Sequence, residues 1–288
     1  MVRRGWRLGV AAGVAVLAAI CASGPEPWEV VRTASDLGPL PADRYGLTPR
    51  DYQRSQRASA LLVRQCMADR GHPEFPLDPR YPDTPGVTLA VGTVVITDYG
   101  VLDPDDARRW GYGWDPATAE ASRPKGRRMT DAEYADWPDC SAEASRRLVR
   151  GIDLTGDWLY AAGRMVEVNK AVKRDPRLRA AWDTWSRCMA AEGFTRYPDP
   201  AAAYGDRAWH RGSDGNTRHT ERERATAVAD VACKHRHRTP ELWHAVRAEK
   251  QAADISRHRD RYAAALRALR TYRANIDEAL RGPGRRPA

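Results

Sequence analysis

The chain has 288 residues, of which 42% are hydrophobic and 30% charged, a balance that fits one large or two modest folded domains and excludes wholesale disorder. Its formal net charge is +9, so a partner reached through charge is anionic. Five cysteines are too few for a disulfide-dense miniature scaffold, and the length makes one unnecessary.

The first residues have the three-part layout of an export signal over 1–24. Arg3, Arg4 and Arg7 precede an uncharged apolar run at 8–20, and small residues Ala22, Ser23 and Gly24 follow. The run falls short of the roughly 20 residues of a spanning helix. Cys21 stands where a lipidated cysteine would stand, although Ile20 before it is bulky for that signal. The expected location is extracytoplasmic, secreted or membrane-anchored. There the available polyanions are lipid headgroups and wall polymers, and a nucleic-acid partner is not expected.

Residues 25–47 are rich in proline and read as a linker. Thr48-Pro49 opens the first helix, with Thr48 as N-cap, and Gly71 ends it. Prolines 73, 76, 79, 82 and 85 then forbid helix, and the β-rich stretch 87–97 is the strand candidate. A short helix is expected over 103–110. Thr130 and Glu133 form a capping box for the next, which Pro138 is expected to interrupt. Helical spacing runs from Asp153 to Lys173, and Asp175-Pro176 restarts it as far as Gly193. A short turn follows Asp199-Pro200, then a polar loop over 209–221, then a helix around 225–235. Thr239-Pro240 starts the last helix, which meets no Gly or Pro before Gly282. Within it Ile255, Tyr262, Leu269 and Ile276 recur every seven residues, the seam of a coiled coil that could also pair two chains as a homodimer.

Two boxes repeat. Cys66-Met67, Gly71, Phe75 and Pro76 superpose on Cys188-Met189, Gly193, Tyr197 and Pro198 after a shift of 122 residues. With Cys21 in the signal, the remaining cysteines form an even set in a chain bound for an oxidising space. Each box cysteine is followed by one later cysteine, which among three pairings favours Cys66–Cys140 and Cys188–Cys233. Their competing use is zinc, with Cys188, Cys233, His235, His237 and His244 as ligands, but the spacing fits no zinc module and export favours oxidation. No metal or other cofactor is expected.

The turn Trp110-Gly111-Tyr112-Gly113-Trp114 offers aromatic faces that could meet a sugar or peptide, or could equally plug a small core. Asp230, set among Ala and Val, is expected to be a buried partner of an arginine. Carboxylates such as Asp103, Asp131 and Asp153 stand at helix starts, where capping explains them. No nucleophile elbow, metalloprotease helix or phosphate loop is present, so no catalytic residue is assigned.

The Cys188-Met189-x-x-x-Gly193 box with Tyr197, and Ala225-Thr226-Ala227-Val228-Ala229-Asp230-Val231-Ala232-Cys233, resemble a group of uncharacterised actinobacterial secreted proteins and lipoproteins. The resemblance covers 48–281 in order of elements and implies an extracytoplasmic helical protein without bringing an activity. The expected fold is mainly α: an elongated antiparallel helical bundle or coiled-coil hairpin with two disulfides and a small β element. Its parts are the signal, the linker 25–47, a first box half over 48–151, a helical hairpin over 152–282 and the tail 283–288. The function expected is an envelope scaffold or binding protein that meets a cell-envelope protein or an anionic wall or lipid surface. The alternative is a wall-carbohydrate binder or wall-active enzyme that uses Trp110, Tyr112 and Trp114.

Overall fold

The computed structural model describes residues 31–75, 99–117 and 129–281. The export signal, Cys21, the strand candidate at 87–97 and the tail lie outside them. The described chain is a helical bundle fastened by two disulfides. Its helices are α1 (Pro49–Asp69), α2 (Pro104–Trp110), α3 (Asp131–Leu148), α4 (Tyr160–Lys173), α5 (Pro176–Ala191), α6 (Pro200–Tyr204), α7 (Glu221–Arg236), α8 (Thr239–Arg257) and α9 (Arg259–Arg281).

Local chemistry sets most helix starts. Thr48 and Asp51 close a capping box on α1, Thr130 and Glu133 do so on α3, and Asp103, Asp175 and Asp199 cap helices whose first residue is proline. The two boxes end alike. Gly71 (φ 96°) and Gly193 (φ 85°) take the left-handed conformation that a side chain resists. The next amide donates back to the methionine carbonyl, His72 to Met67 at 2.9 Å and Phe194 to Met189 at 3.0 Å. The sequence repeat is therefore a repeated helix terminus. In each copy the methionine is fully buried, and the following ring, Phe75 or Tyr197, is buried with it.

Three elements depart from expectation. Pro138 does not interrupt α3, which runs through it. The proline ring is exposed, so the Tyr134 carbonyl it deprives of a donor lies on the solvent side, where water can satisfy it. The arm from Asp153 opens with one π-type turn, Leu154–Trp158, before α4. The last arm is broken at His258 (φ −124°), whose Nδ1–H donates to the Asp254 carbonyl oxygen at 2.9 Å and competes with the helical ladder. In addition, α8 begins at Thr239 with Arg238, not Thr239, at the cap position.

The two arms pair antiparallel. Trp182 meets Trp243 with ring centroids at 5.3 Å, Arg177 bonds Glu249, Arg164 bonds Asp254, and Trp158 packs on Tyr272 at 4.8 Å. Rising numbers on one arm thus face falling numbers on the other. The heptad seam is filled within the chain: Tyr262 packs with Ala161 and Ala265, and Ile276 with Ala58 and Leu148. Residues 99–115, first-half residues by order, pack on the second box, with Val101, Ala107 and Tyr112 in one core with Trp185, Met189 and Trp209. Each large side chain buried this way contributes roughly 1.5–3 kcal/mol. Residues 31–47 are held down too, with Ala42 N donating to Gln251 Oε1 at 3.0 Å and Tyr45 against Tyr262.

Buried carboxylates tie the arms together. Asp175 accepts from Arg177 and Lys250, which hold its carboxyl far below the usual range against the opposing effect of burial. For Asp254 burial opposes ionisation most, but hydrogen bonds from Arg164 and Tyr262 outweigh it and keep its pKa low. A depressed carboxylate contributes stability that is complete above its unfolded pKa near 3.9 and is lost as pH falls through the folded value. We expect urea unfolding free energy to drop with pH below about pH 5, and Asp175→Asn to flatten that drop. An unchanged slope in the variant would show that the Arg177 and Lys250 contacts contribute nothing.

Candidate functional site

The cysteines pair as the repeat suggests. Cys66–Cys140 joins α1 to α3 with Cα atoms 5.6 Å apart, and Cys188–Cys233 joins α5 to α7 at 5.8 Å. The zinc alternative is overturned. Its two cysteines bond each other, His235 Nε2 lies 3.1 Å from the Val31 carbonyl, and His244 Nε2 lies 3.2 Å from the Gly38 carbonyl. Among the described residues no cluster of His, Cys, Asp and Glu could hold a metal ion.

The aromatic turn is built into the core rather than turned outward. Tyr112 is fully buried, stacked on Trp209 at 5.5 Å, so it is not a ligand-facing ring. Its amide donates to Glu223 Oε1 at 2.9 Å, and Trp114 N donates to Asn216 Oδ1 at 3.0 Å. Trp110 and Trp114 are half-buried; Trp110 meets His219 edge-on at 5.7 Å. Gly111 and Gly113 are required there because a Cβ at either would collide with Glu223 or with Asn216, Thr217 and His219. This turn is a plug that anchors α2 to α7.

Beneath it lies a charge pair. Asp230 and Lys234 are 0% and 1% exposed and meet at 2.8 Å. The partner of Asp230 is therefore a lysine one turn along α7, not an arginine. Trp185 Nε1 donates to Asp230 at 3.0 Å, and Lys234 Nζ donates to the Val101 carbonyl at 3.0 Å. Gly100 (φ 70°) lets the ammonium pass, since a Cβ there would stand 2.8 Å from Nζ. Burial raises the Asp230 carboxyl above its ordinary pKa and lowers that of Lys234. The same burial, with Asp230 beside it, pushes the Tyr112 phenol well up. The i, i+4 spacing of an acid and a lysine inside an apolar run was the sequence signal for this pair.

An open hollow of about 490 Å³ lies beside the turn, lined by His210, Arg211, Asn216 and His219, and another concavity lies where α1, the end of α3 and the end of α9 converge. The latter is a groove of about 540 Å³, within the roughly 300–1,000 Å³ of small-ligand sites. Its apolar floor is Leu61 and Leu62 from α1 and Leu280 from α9, all half-buried, over buried Leu148. Four arginines stand around it, Arg64, Arg147, Arg150 and Arg281, with Glu278 as the lining acid. Arg150 spends its charge on Glu278 at 2.8 Å, and Arg147 approaches Glu143 at 3.8 Å. Asn275 fixes the wall by donating to the Leu148 and Arg150 carbonyls at 3.0 Å each, which closes the end of α3. Nothing in sequence order brings 61–68, 147–150 and 275–281 together. Leu159, just before α4, and Val166 on α4 are 58% and 55% exposed.

Comparison with protein-family models, with curated proteins and with solved structures gives no match for this chain.

Proposed function

We propose that the chain works outside the cytoplasm as a disulfide-fastened helical binding protein of the cell envelope, held at the membrane or released from it. The observation that carries this reading is the pairing of every cysteine beyond the leader into two disulfides, in a chain that opens with a basic, apolar, small-residue leader. Disulfides of this kind persist in oxidising compartments. No helix among the described residues is long and apolar enough to cross a membrane. In this proposal the first residues, or lipid on Cys21, supply any anchor. The competing reading, an aromatic cleft for wall carbohydrate, loses its central ring because Tyr112 is core.

The test is peptide mapping of the protein recovered from its producing cell, without reduction. We expect Cys66–Cys140 and Cys188–Cys233 peptides and an N-terminus processed near residues 21–24. Free thiols in a full-length cytosolic protein would overturn the proposal.

A further inference from the structure

We propose that the groove between α1, α3 and α9 binds a single-chain amphiphile with an anionic headgroup, such as a carboxylate or phosphate. The proposal gives the binding protein inferred above its ligand class, and rests on that reading only for where such a ligand would be met.

Two independent features meet in the groove. The first is an apolar floor that the described residues leave unfilled. Leu61, Leu62 and Leu280 remain half-buried at the end of a well-packed bundle, where burying a leucine fully contributes roughly 1.5–3 kcal/mol. A narrow hydrocarbon chain laid over them would complete that burial. The second is unspent positive charge. Once Arg150 has paired with Glu278 and Arg147 with Glu143, Arg64 and Arg281 have no carboxylate partner among the described residues. Helix-end dipoles account for a basic residue in the last turn of α3 or α9 taken singly. They do not account for Arg64, inside α1, facing the same concavity as Arg281. Arginine forks bind carboxylate and phosphate through two parallel N–H donations, so the rim suits an anionic head while the floor takes the tail. An open groove of this volume with three leucines across its floor fits one chain rather than two.

The probe is dodecyl phosphate below its micellar concentration, titrated calorimetrically into the full exported protein with both disulfides intact. We expect one molecule per chain. Dodecylphosphocholine, which adds a positive charge to the same tail, should bind at least tenfold more weakly, and inorganic phosphate, which has no tail, should not saturate. Each lost arginine contact is expected to weaken dodecyl phosphate about tenfold, so Arg64→Glu with Arg281→Glu should weaken it about a hundredfold. Leu280→Ser should weaken it with the rim intact. Both arginines are exposed, and unchanged circular dichroism and melting of the variants verifies the fold; Arg64→Gln serves if the double variant melts early. Equal binding of the phosphocholine, unchanged binding by both the double variant and Arg64→Gln, binding to phosphatidylglycerol vesicles without binding of the monomeric probe, or capture of an acidic helical peptide in its place would each overturn the proposal. Disulfide mapping on the same preparation separates the outcomes. Absent binding with both bonds and the processed N-terminus in place refutes the ligand class alone, whereas absent bonds refute the extracytoplasmic reading.

Discussion

Replacing Cys188 and Cys233 together by serine is expected to destabilise the protein by about 2–5 kcal/mol and to loosen the core around Trp185 and Trp209 first. The bond closes a loop of 45 residues, for which the chain-entropy model gives roughly 4 kcal/mol. Cys233 is fully buried and Cys188 nearly so, in a cluster with Met189, Ala227 and Val231, so two hydroxyls would also enter an apolar site. The same bond joins α5, which carries the second box, to α7, on which the plug at the end of α2 rests. Thermal and urea unfolding of the double variant, followed by tryptophan fluorescence, measures both the size and the order of loss. A loss below about 1 kcal/mol would mean that packing alone fixes α5 on α7.

Removing the ammonium of Lys234 is expected to cost as much. Lys234→Met leaves the Asp230 carboxylate buried without its cation, and breaking a buried pair from one side costs about 3–5 kcal/mol. Removing both charges, as Asp230→Leu with Lys234→Met, should recover most of that loss, because an apolar pair of similar volume incurs no desolvation penalty. The single variant also carries a pH signature. Burial raises the folded pKa of Asp230, so its penalty is full above that value, shrinks as pH falls through it, and vanishes below the unfolded value near 3.9. Denaturant melts of both variants between pH 4 and 8 provide the measurement. A double variant no more stable than the single one would show that the pair is needed for reasons beyond neutralising Asp230, such as the Lys234 bond to the Val101 carbonyl.

Short-range chemistry was legible in the residues themselves. Thr48, Thr130 and Asp175 cap because a hydroxyl or carboxylate reaches an amide two or three residues on. Gly71 and Gly193 end helices because few other residues enter the left-handed region without strain. Cysteine parity and the repeated box gave the pairing, since each box places its cysteine one turn before such an end. These interactions close within a few residues, so order in the chain is enough to specify them.

What the tertiary structure alone decided is where distant segments meet. Tyr112 is a core ring because Trp209, nearly a hundred residues later, stacks on it, and no spacing distinguishes that from an exposed ring. The last arm is broken at His258, whose ring N–H takes the Asp254 carbonyl, a break that no Gly or Pro in the sequence marks. The groove exists because α1, α3 and α9 end together, which leaves three leucines half-covered and two arginines without acids among the described residues. Burial and charge compensation are properties of the neighbours a residue acquires on folding, and those neighbours come from segments whose separation the sequence does not encode locally.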